Sequence, residues 1–259
     1  MKKVHLIYFS PALSTRKIVR SVGNAISNSI KEYDITQGLS EDLIIKDDAL
    51  VIFGIPVYSG RVPALATQYL HKIKGSSTPA VLVCVYGNRE YEDALLELKN
   101  ITQQNGFRPI AAGAFIARHS IFPNVAINRP DKQDDEKIAD FAKQCTSAYQ
   151  THKDSAKELE VKGNYPYRET SKIPLIPKGD SKCDNCGTCT KMCPVNAIPE
   201  SNPKKTDKDL CISCARCITV CPQHSRKFRG LIYSIARKKL ESAYSVTRKE
   251  PEFFFNSED

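Results

Sequence analysis

Eight cysteines at fixed spacing are the residues of this chain best suited to do chemistry. Cys183, Cys186, Cys189 and Cys193 follow C-x2-C-x2-C-x3-C-P, closing on Pro194. Cys211, Cys214, Cys217 and Cys221 repeat the pattern at an offset of 28 residues, closing on Pro222. Three thiolates spaced this way on a tightly turning loop can wrap three irons of one cubane. The pattern is a ligand signature of [4Fe–4S] clusters, and two copies imply two clusters. Zinc prefers two well-separated C-x2-C pairs that close one tetrahedron, which two successive four-cysteine runs do not provide. A disulfide framework would imply export, and nothing in the sequence directs export.

This stretch resembles the bacterial-type 2[4Fe–4S] ferredoxins. The resemblance implies that the fourth cysteine of each run, lying past the turn, ligates the other run's cluster. One cluster would then use Cys183, Cys186, Cys189 and Cys221, and the other Cys211, Cys214, Cys217 and Cys193. Such crossing knits two halves into one unit, with the clusters standing in for a core it is too short to build.

The elements that must position this module lie upstream. Residues 3–9, 49–55, 79–86 and 109–117 are apolar runs of the kind a parallel strand buried on both faces needs. Helical spacing of apolar residues follows each: residues 16–30, a stretch carrying Leu65, Tyr69, Leu70 and Ile73, residues 91–104 and residues 134–150. Residues 33–36 fit a short edge strand. Strand and helix alternate with short loops, so the expectation is an α/β open parallel sheet with helices on both faces. Such sheets bind ligands outside the carboxyl ends of their strands, which directs attention to three loops. Cys84 and Cys145 sit on apolar faces and read as small buried hydrophobes.

The three loops resemble those of flavodoxins. Joined to the cysteine module, the chain resembles the fused flavodoxin–ferredoxin proteins of the EFR1 type over nearly its full length. The resemblance implies a flavodoxin-like FMN-binding domain over residues 1–152 and a linker over 153–180. A small α+β 2[4Fe–4S] ferredoxin-like domain over 181–225 and a basic helix and tail over 226–259 would complete the chain. It also implies that the loop of Ser10, Ala12, Leu13, Ser14 and Thr15 holds the FMN phosphate, with hydroxyls, N–H groups and the helix N-terminus as donors. The related family pattern is close to S-P-T-G-x-T. Here Ala12 removes one hydroxyl, and Leu13 would be strained if the turn needs a positive φ.

By the same resemblance, Pro56, Val57, Tyr58, Ser59, Gly60 and Arg61 line the flavin ring. Tyr58 would be a stacking neighbour, Gly60 a donor near N5, and Arg61 a neighbour of ring or phosphate. Tyr86, Gly87, Asn88, Arg89, Tyr91 and Asp93 would cover the pyrimidine side, with Asn88 in contact and Arg89 near N1. His119, in Arg118-His119-Ser120, would donate a proton to a reduced flavin or a substrate, since imidazole titrates near neutrality.

The chain has 259 residues, 10 cysteines and a net charge of +9. A basic surface attracts nucleic acid, anionic membranes or acidic proteins. No nucleic-acid module accompanies the charge, so the expected partner is a redox protein, acidic in character, or a small electron donor or acceptor. No apolar run suits a transmembrane helix or a signal peptide, so a cytoplasmic protein is expected, and a homodimer is compatible with it. Residues 151–182 are charged and proline-bearing, as a linker would be. Leu231, Ile232, Ile235, Ala236, Leu240 and Ala243 suggest a docked helix, and Phe253, Phe254 and Phe255 should tuck onto a domain. The expected function is electron transfer between two [4Fe–4S] clusters, FMN and a redox partner. The alternatives are an FMN-dependent reductase of a small substrate, and a ferredoxin on a flavodoxin-like docking domain without FMN.

Overall fold

The structure is a computed structural model that describes residues 3–45, 49–152, 157–170 and 172–256. In chain order its elements are β1 (Val4–Tyr8), α1 (Ser14–Ile26), β2 (Ile30–Asp34), β3 (Leu43–Ile44) and β4 (Leu50–Pro56). Then come α2 (Ala64–Leu70), β5 (Ile73–Lys74), β6 (Thr78–Tyr86), α3 (Ala94–Gln104), β7 (Phe107–Ile116) and α4 (Lys132–His152). The last are α5 (Thr188–Lys191), α6 (Arg216–Thr219), α7 (Leu231–Tyr244) and β8 (Glu252–Phe255).

The apolar runs pair as their composition demands. The main sheet has the order β2-β1-β4-β6-β7-β8. The first five strands are parallel, and β8 is antiparallel to β7. The parallel part is the doubly wound, flavodoxin-like order, with its switch point beside β1. α1 and α4 cover one face through Ile18, Val19, Val22, Ile138, Phe141 and Ala142. α2 and α3 cover the other through Ala66, Leu70, Leu95, Leu98 and Ile101. Cys84 and Cys145 are fully buried in these two layers.

Three segments differ from the periodicity. Ile30 falls at helical spacing from Ile26, yet α1 ends at Ile26, and Ile30 opens β2 opposite Val4 of β1. Ile73 likewise leaves the second helix for the two-residue strand β5, paired with β3. The three phenylalanines form the edge strand β8. Phe253 and Phe255 pack in one layer and Phe254 in the other, the period of two that a strand imposes.

Helix α7 docks through Tyr233, Ala236, Leu240 and Tyr244 on a small cluster with Phe122 and Phe228. Leu231, Ile232 and Ile235 remain exposed, because the docked face runs one to two residues off the apolar stripe. The first residues of the linker stretch, 153–156, lie outside the described residues. Among the described residues no helix is long and apolar enough to cross a membrane.

Candidate functional site

The two cysteine runs fold as copies of one backbone. Positive φ recurs at the 28-residue offset: Asn185 and Ser213, Gly187 and Ala215, Asn196 and His224. Gly187 and Ala215 each precede a one-turn helix, α5 or α6, that carries the third cysteine of its run. The copies also share a sulfur contact: the N–H of Ala197 donates to Cys193 Sγ at 3.3 Å, and that of Ser225 to Cys221 Sγ at 3.4 Å. Hydrogen bonds of this kind stabilise thiolate and tune cluster potential.

Thiols of the two runs lie near one another across the repeat, with Cys189 also a neighbour of Cys217. Burial raises Cys189; Arg226 opposes that rise, while Cys221 and Cys183 add to it, so those three thiols are electrostatic neighbours. Burial raises Cys214 to about 12, and its thiol neighbours are Cys217, Cys193 and Cys211. Cys193, Cys211, Cys214 and Cys217 also bound one small cavity. Among the described residues no three His, Cys, Asp or Glu side chains gather closely enough to hold one metal ion. A cubane sets a different demand: its four ligands bind four different irons, so they stand farther apart. An all-thiol set around a cavity, with N–H donors on the sulfurs, fits that group.

Arg226 is the residue that spacing did not single out. It is 1% exposed. Its guanidinium donates to the carbonyls of Pro203 and Pro177 and to Thr206 Oγ1. Its charge acts on Cys189, Cys211 and Cys217, so it reaches thiols of both runs. Superposing the repeats places Arg226 opposite Ile198, a buried apolar residue, and that mismatch is the signal in the sequence.

At the carboxyl end of the sheet, a narrow cleft is lined by residues of four loops: Pro11, Ala12, Ser14 and Thr15; Pro56 to Tyr58; Val85 to Gly87; and Ala117 to Ser120. Loop one leads into the N-terminus of α1. Ser10 Oγ accepts from the Arg16 N–H at 2.9 Å, while the Ser10 N–H donates to Thr36 Oγ1. The first-turn N–H groups of Ser14 and Thr15 remain for a ligand, at the positive end of α1. Thr15 Oγ1 is buried and has no hydrogen-bond partner among the described residues. An orphaned hydroxyl on the cleft wall is what a phosphate oxygen would satisfy. Leu13 takes φ 67°, ψ −7°, a left-handed conformation that a γ-branched side chain adopts at a cost.

Loop two divides in its roles. Pro56, Val57 and Tyr58 line the cleft. The Tyr58 hydroxyl is raised well above the usual phenol range by burial, with Cys214 and Cys211 acting in the same direction. Tyr58 and Cys211 line a common cavity. Ser59 and Gly60, at φ 52° and 81°, form a tight turn bridged by Tyr58 and Arg61. The space a Cβ on Gly60 would need is filled by Glu92 and Arg168, so this glycine accommodates the protein's own side chains. Arg61 turns away from the cleft. Its guanidinium pairs with Glu97 at 2.7 Å, donates to the Arg168 carbonyl at 2.6 Å and lies 4.7 Å from the Tyr167 ring centroid.

Loop three divides likewise. Tyr86 and Gly87 line the cleft. Asn88 does not offer its amide to it: Nδ2 donates to the Tyr244 and Thr247 carbonyls, and Oδ1 accepts from the Lys249 N–H. Arg89 pairs with Glu92 at 2.8 Å. Tyr91 is buried and donates to Glu252. Asp93 accepts from the N–H groups of Arg168 and Asn164, which hold its carboxyl low despite burial. Loop three thus ties down the linker and the C-terminal segment.

His119 lines the cleft beside Gly87. Burial, with the Arg89 charge, holds its pKa down at about 4, so it is neutral at pH 7 and is not the imidazolium acid expected from its ordinary pKa. Its Nδ1 accepts from the N–H groups of Ile121 and Phe122, which assigns the proton to Nε2. His119 is a hydrogen-bond donor.

The cysteine module meets this cleft with one particular side. Arg216 Nη1 donates to the Pro11 carbonyl at 3.4 Å, one residue before the third cysteine of the second run. Cys211, Cys214 and Cys217 are buried, whereas Cys186 is exposed.

Residues 182–225 match the 4Fe–4S dicluster domain family. One subunit of the tetrathionate reductase of Archaeoglobus fulgidus is 35% identical over 74 residues, covering 28% of this chain and 35% of that protein. The chain therefore spans about a third of the length of that curated relative. Among solved structures, Fusobacterium nucleatum flavodoxin bound to flavin mononucleotide aligns at 16% identity and a TM-score of 0.40, over 57% of this chain and 98% of that one. Oxidised flavodoxin 1 from Bacillus cereus aligns at 14% and 0.40, over 58% and 98%. The fold rests on the sheet order. The chain joins a flavodoxin-like parallel sheet to a C-terminal 4Fe–4S dicluster domain.

Proposed function

We propose that this protein is an iron–sulfur flavoprotein that carries electrons between two [4Fe–4S] clusters and FMN, and onward to a redox partner. The outer cluster is held by Cys183, Cys186, Cys189 and Cys221, and the inner one by Cys211, Cys214, Cys217 and Cys193. Clusters exchange single electrons and FMN holds one or two, so together they link one-electron to two-electron couples. The chain's own residues set the geometry. Ser14, Thr15 and the N-terminus of α1 hold the phosphate. Tyr58, Tyr86 and Gly87 wall the ring slot, and neutral His119 donates a hydrogen bond into it.

The observation that carries this reading is the contact between the second cysteine set and the cleft. Arg216, one residue before Cys217, donates to the Pro11 carbonyl of loop one, and Tyr58 and Cys211 line one cavity. A second reading, an FMN-dependent reductase of a small substrate, is favoured by a large cavity adjoining the cleft. The strained Leu13 is what favours a docking domain without FMN.

The test is anaerobic reconstitution followed by iron, sulfide and flavin quantitation and reductive titration. The relay requires about eight irons and one FMN per chain, with flavin and clusters reducing in coupled steps. A full iron load with no flavin, even after FMN is supplied, would leave a ferredoxin carried on a docking domain.

A further inference from the structure

A cavity of ≈ 730 Å³ lies where the sheet, the end of the cysteine module and α7 meet. Its volume is within the ~300–1,000 Å³ typical of small-molecule sites. Loop one and the segment after β7 form its near wall, while Phe228 and Tyr233 form its far wall. The cleft opens into it, because Ala12, Ser14, Arg118, His119 and Ser120 line both spaces.

The charge of this cavity has one sign. Lys17, Arg118, Lys227 and Arg237 line it from four separate stretches of chain, and among the described residues no Asp or Glu does. Arg129 also reaches it, but that guanidinium is paired with buried Asp134. Cations around a concave, low-dielectric wall focus positive potential on the space they enclose. The apolar part is equally organised. Tyr233 lies near-parallel to Phe228 and to Phe122, with ring centroids 5.9 Å from each, and Ile121 and Ile218 also line the cavity. Flat apolar wall and cationic rim together suit a molecule with a flat apolar body and an anionic group.

We propose that this cavity binds a small organic anion of that kind. Its anionic group sits among Lys17, Arg118, Lys227 and Arg237, and its body lies on Phe228 and Tyr233. The proposal rests on the reading of the cleft as a flavin site, to which it adds a substrate class. The far wall and two of the cations come from the cysteine module's end and α7, so the flavin-holding loops supply only one side of the cavity.

The probe pair is 2-naphthoate and its uncharged amide, 2-naphthamide, titrated calorimetrically into the anaerobic, iron- and FMN-loaded full chain. Naphthoate should bind at least tenfold more tightly than the amide and perturb the flavin's visible spectrum. The double variant Lys227→Glu/Arg237→Glu should weaken naphthoate tenfold or more, with iron and FMN content unchanged. Lys238→Glu, on the same helix but outside the cavity, should leave it unaltered. Equal binding of the two probes, no binding of either, or insensitivity to the double variant overturns the proposal. So does naphthoate binding that disappears when FMN is loaded, since the cavity would then be the flavin's own. A chain that refuses FMN yet binds naphthoate with the same charge dependence upholds the anion site and defeats the flavin reading, so the two failures are distinct.

Discussion

The two cysteine runs share one spacing and one backbone, yet they live in different surroundings. The first run, with Cys186 exposed and Cys183 half-buried, borders solvent. The second, with Cys211, Cys214 and Cys217 buried, is tied to loop one through the Arg216–Pro11 hydrogen bond. On the proposed reading, identical ligand chemistry would serve two roles, an outer port and an inner contact. The difference lies in what each copy packs on. Arg216 of the second run reaches the Pro11 carbonyl, whereas its counterpart in the first run, Thr188, stands beside Cys186 Sγ.

The largest break in this comparison comes from removing one ligand on each side. Cys214→Ala should lose about half the iron and abolish electron passage from the remaining cluster to bound flavin. Cys186→Ala should lose as much iron but leave an inner cluster that still equilibrates with flavin. Iron quantitation and anaerobic spectroscopic titration separate the two outcomes. Equal behaviour of the variants would dissolve the distinction between outer and inner sets.

Arg226 probes what the two sets share. Replacing it with Met removes a buried cation that acts on thiols of both. Both midpoint potentials should fall, by an amount on the order of 60 mV, since ~59 mV is a tenfold bias for one electron. Protein-film voltammetry measures this directly. A shift confined to one cluster would show that the charge serves only that set.

On the cleft side, His119 couples stability to pH. Its folded pKa is about 4 against an ordinary 6.5, so the unfolded chain binds more protons between those values. The stabilisation is complete above about pH 6.5 and is lost as pH falls toward 4, amounting to about 3 kcal/mol. His119→Gln should flatten this slope in denaturant titrations. An unchanged slope would assign the titration elsewhere.

The smallest effect is expected at Leu13. Leu13→Gly relieves the left-handed conformation and should raise stability by about 0.5–1 kcal/mol, seen as a higher Tm. FMN affinity should rise with it if the loop is the phosphate seat. A fall in Tm would mean that the Leu13 side chain contributes more than its backbone strain costs.

Much of the fold is legible in the amino-acid pattern. The strands of the sheet announce themselves as continuous apolar runs, because a parallel sheet covered on both faces tolerates little else. The cysteine pattern needs only its spacing. In loop one, the left-handed turn at Leu13 is readable. What escapes are partnerships made over long distances in sequence. Asn88 binds carbonyls of Tyr244 and Thr247, and Arg61 binds Glu97 and the carbonyl of Arg168. Local pattern cannot reveal that a side chain in a ligand-type loop has been claimed by a distant segment. The same limit hides Ile30 in β2, where pairing with Val4 overrides helical spacing. Arg226 is within reach of the sequence, through its mismatch with Ile198 in the repeat.

The central claim is that the second cysteine set is the one that faces the flavin. Diffraction from the anaerobic, FMN-loaded protein, with anomalous data at the iron edge, tests it most directly. The account predicts two iron sites, with the one held by Cys211, Cys214, Cys217 and Cys193 nearer the flavin ring, beside Tyr58. A nearer cluster held by Cys183, Cys186 and Cys189, or one cluster bound wholly within each run, would contradict it.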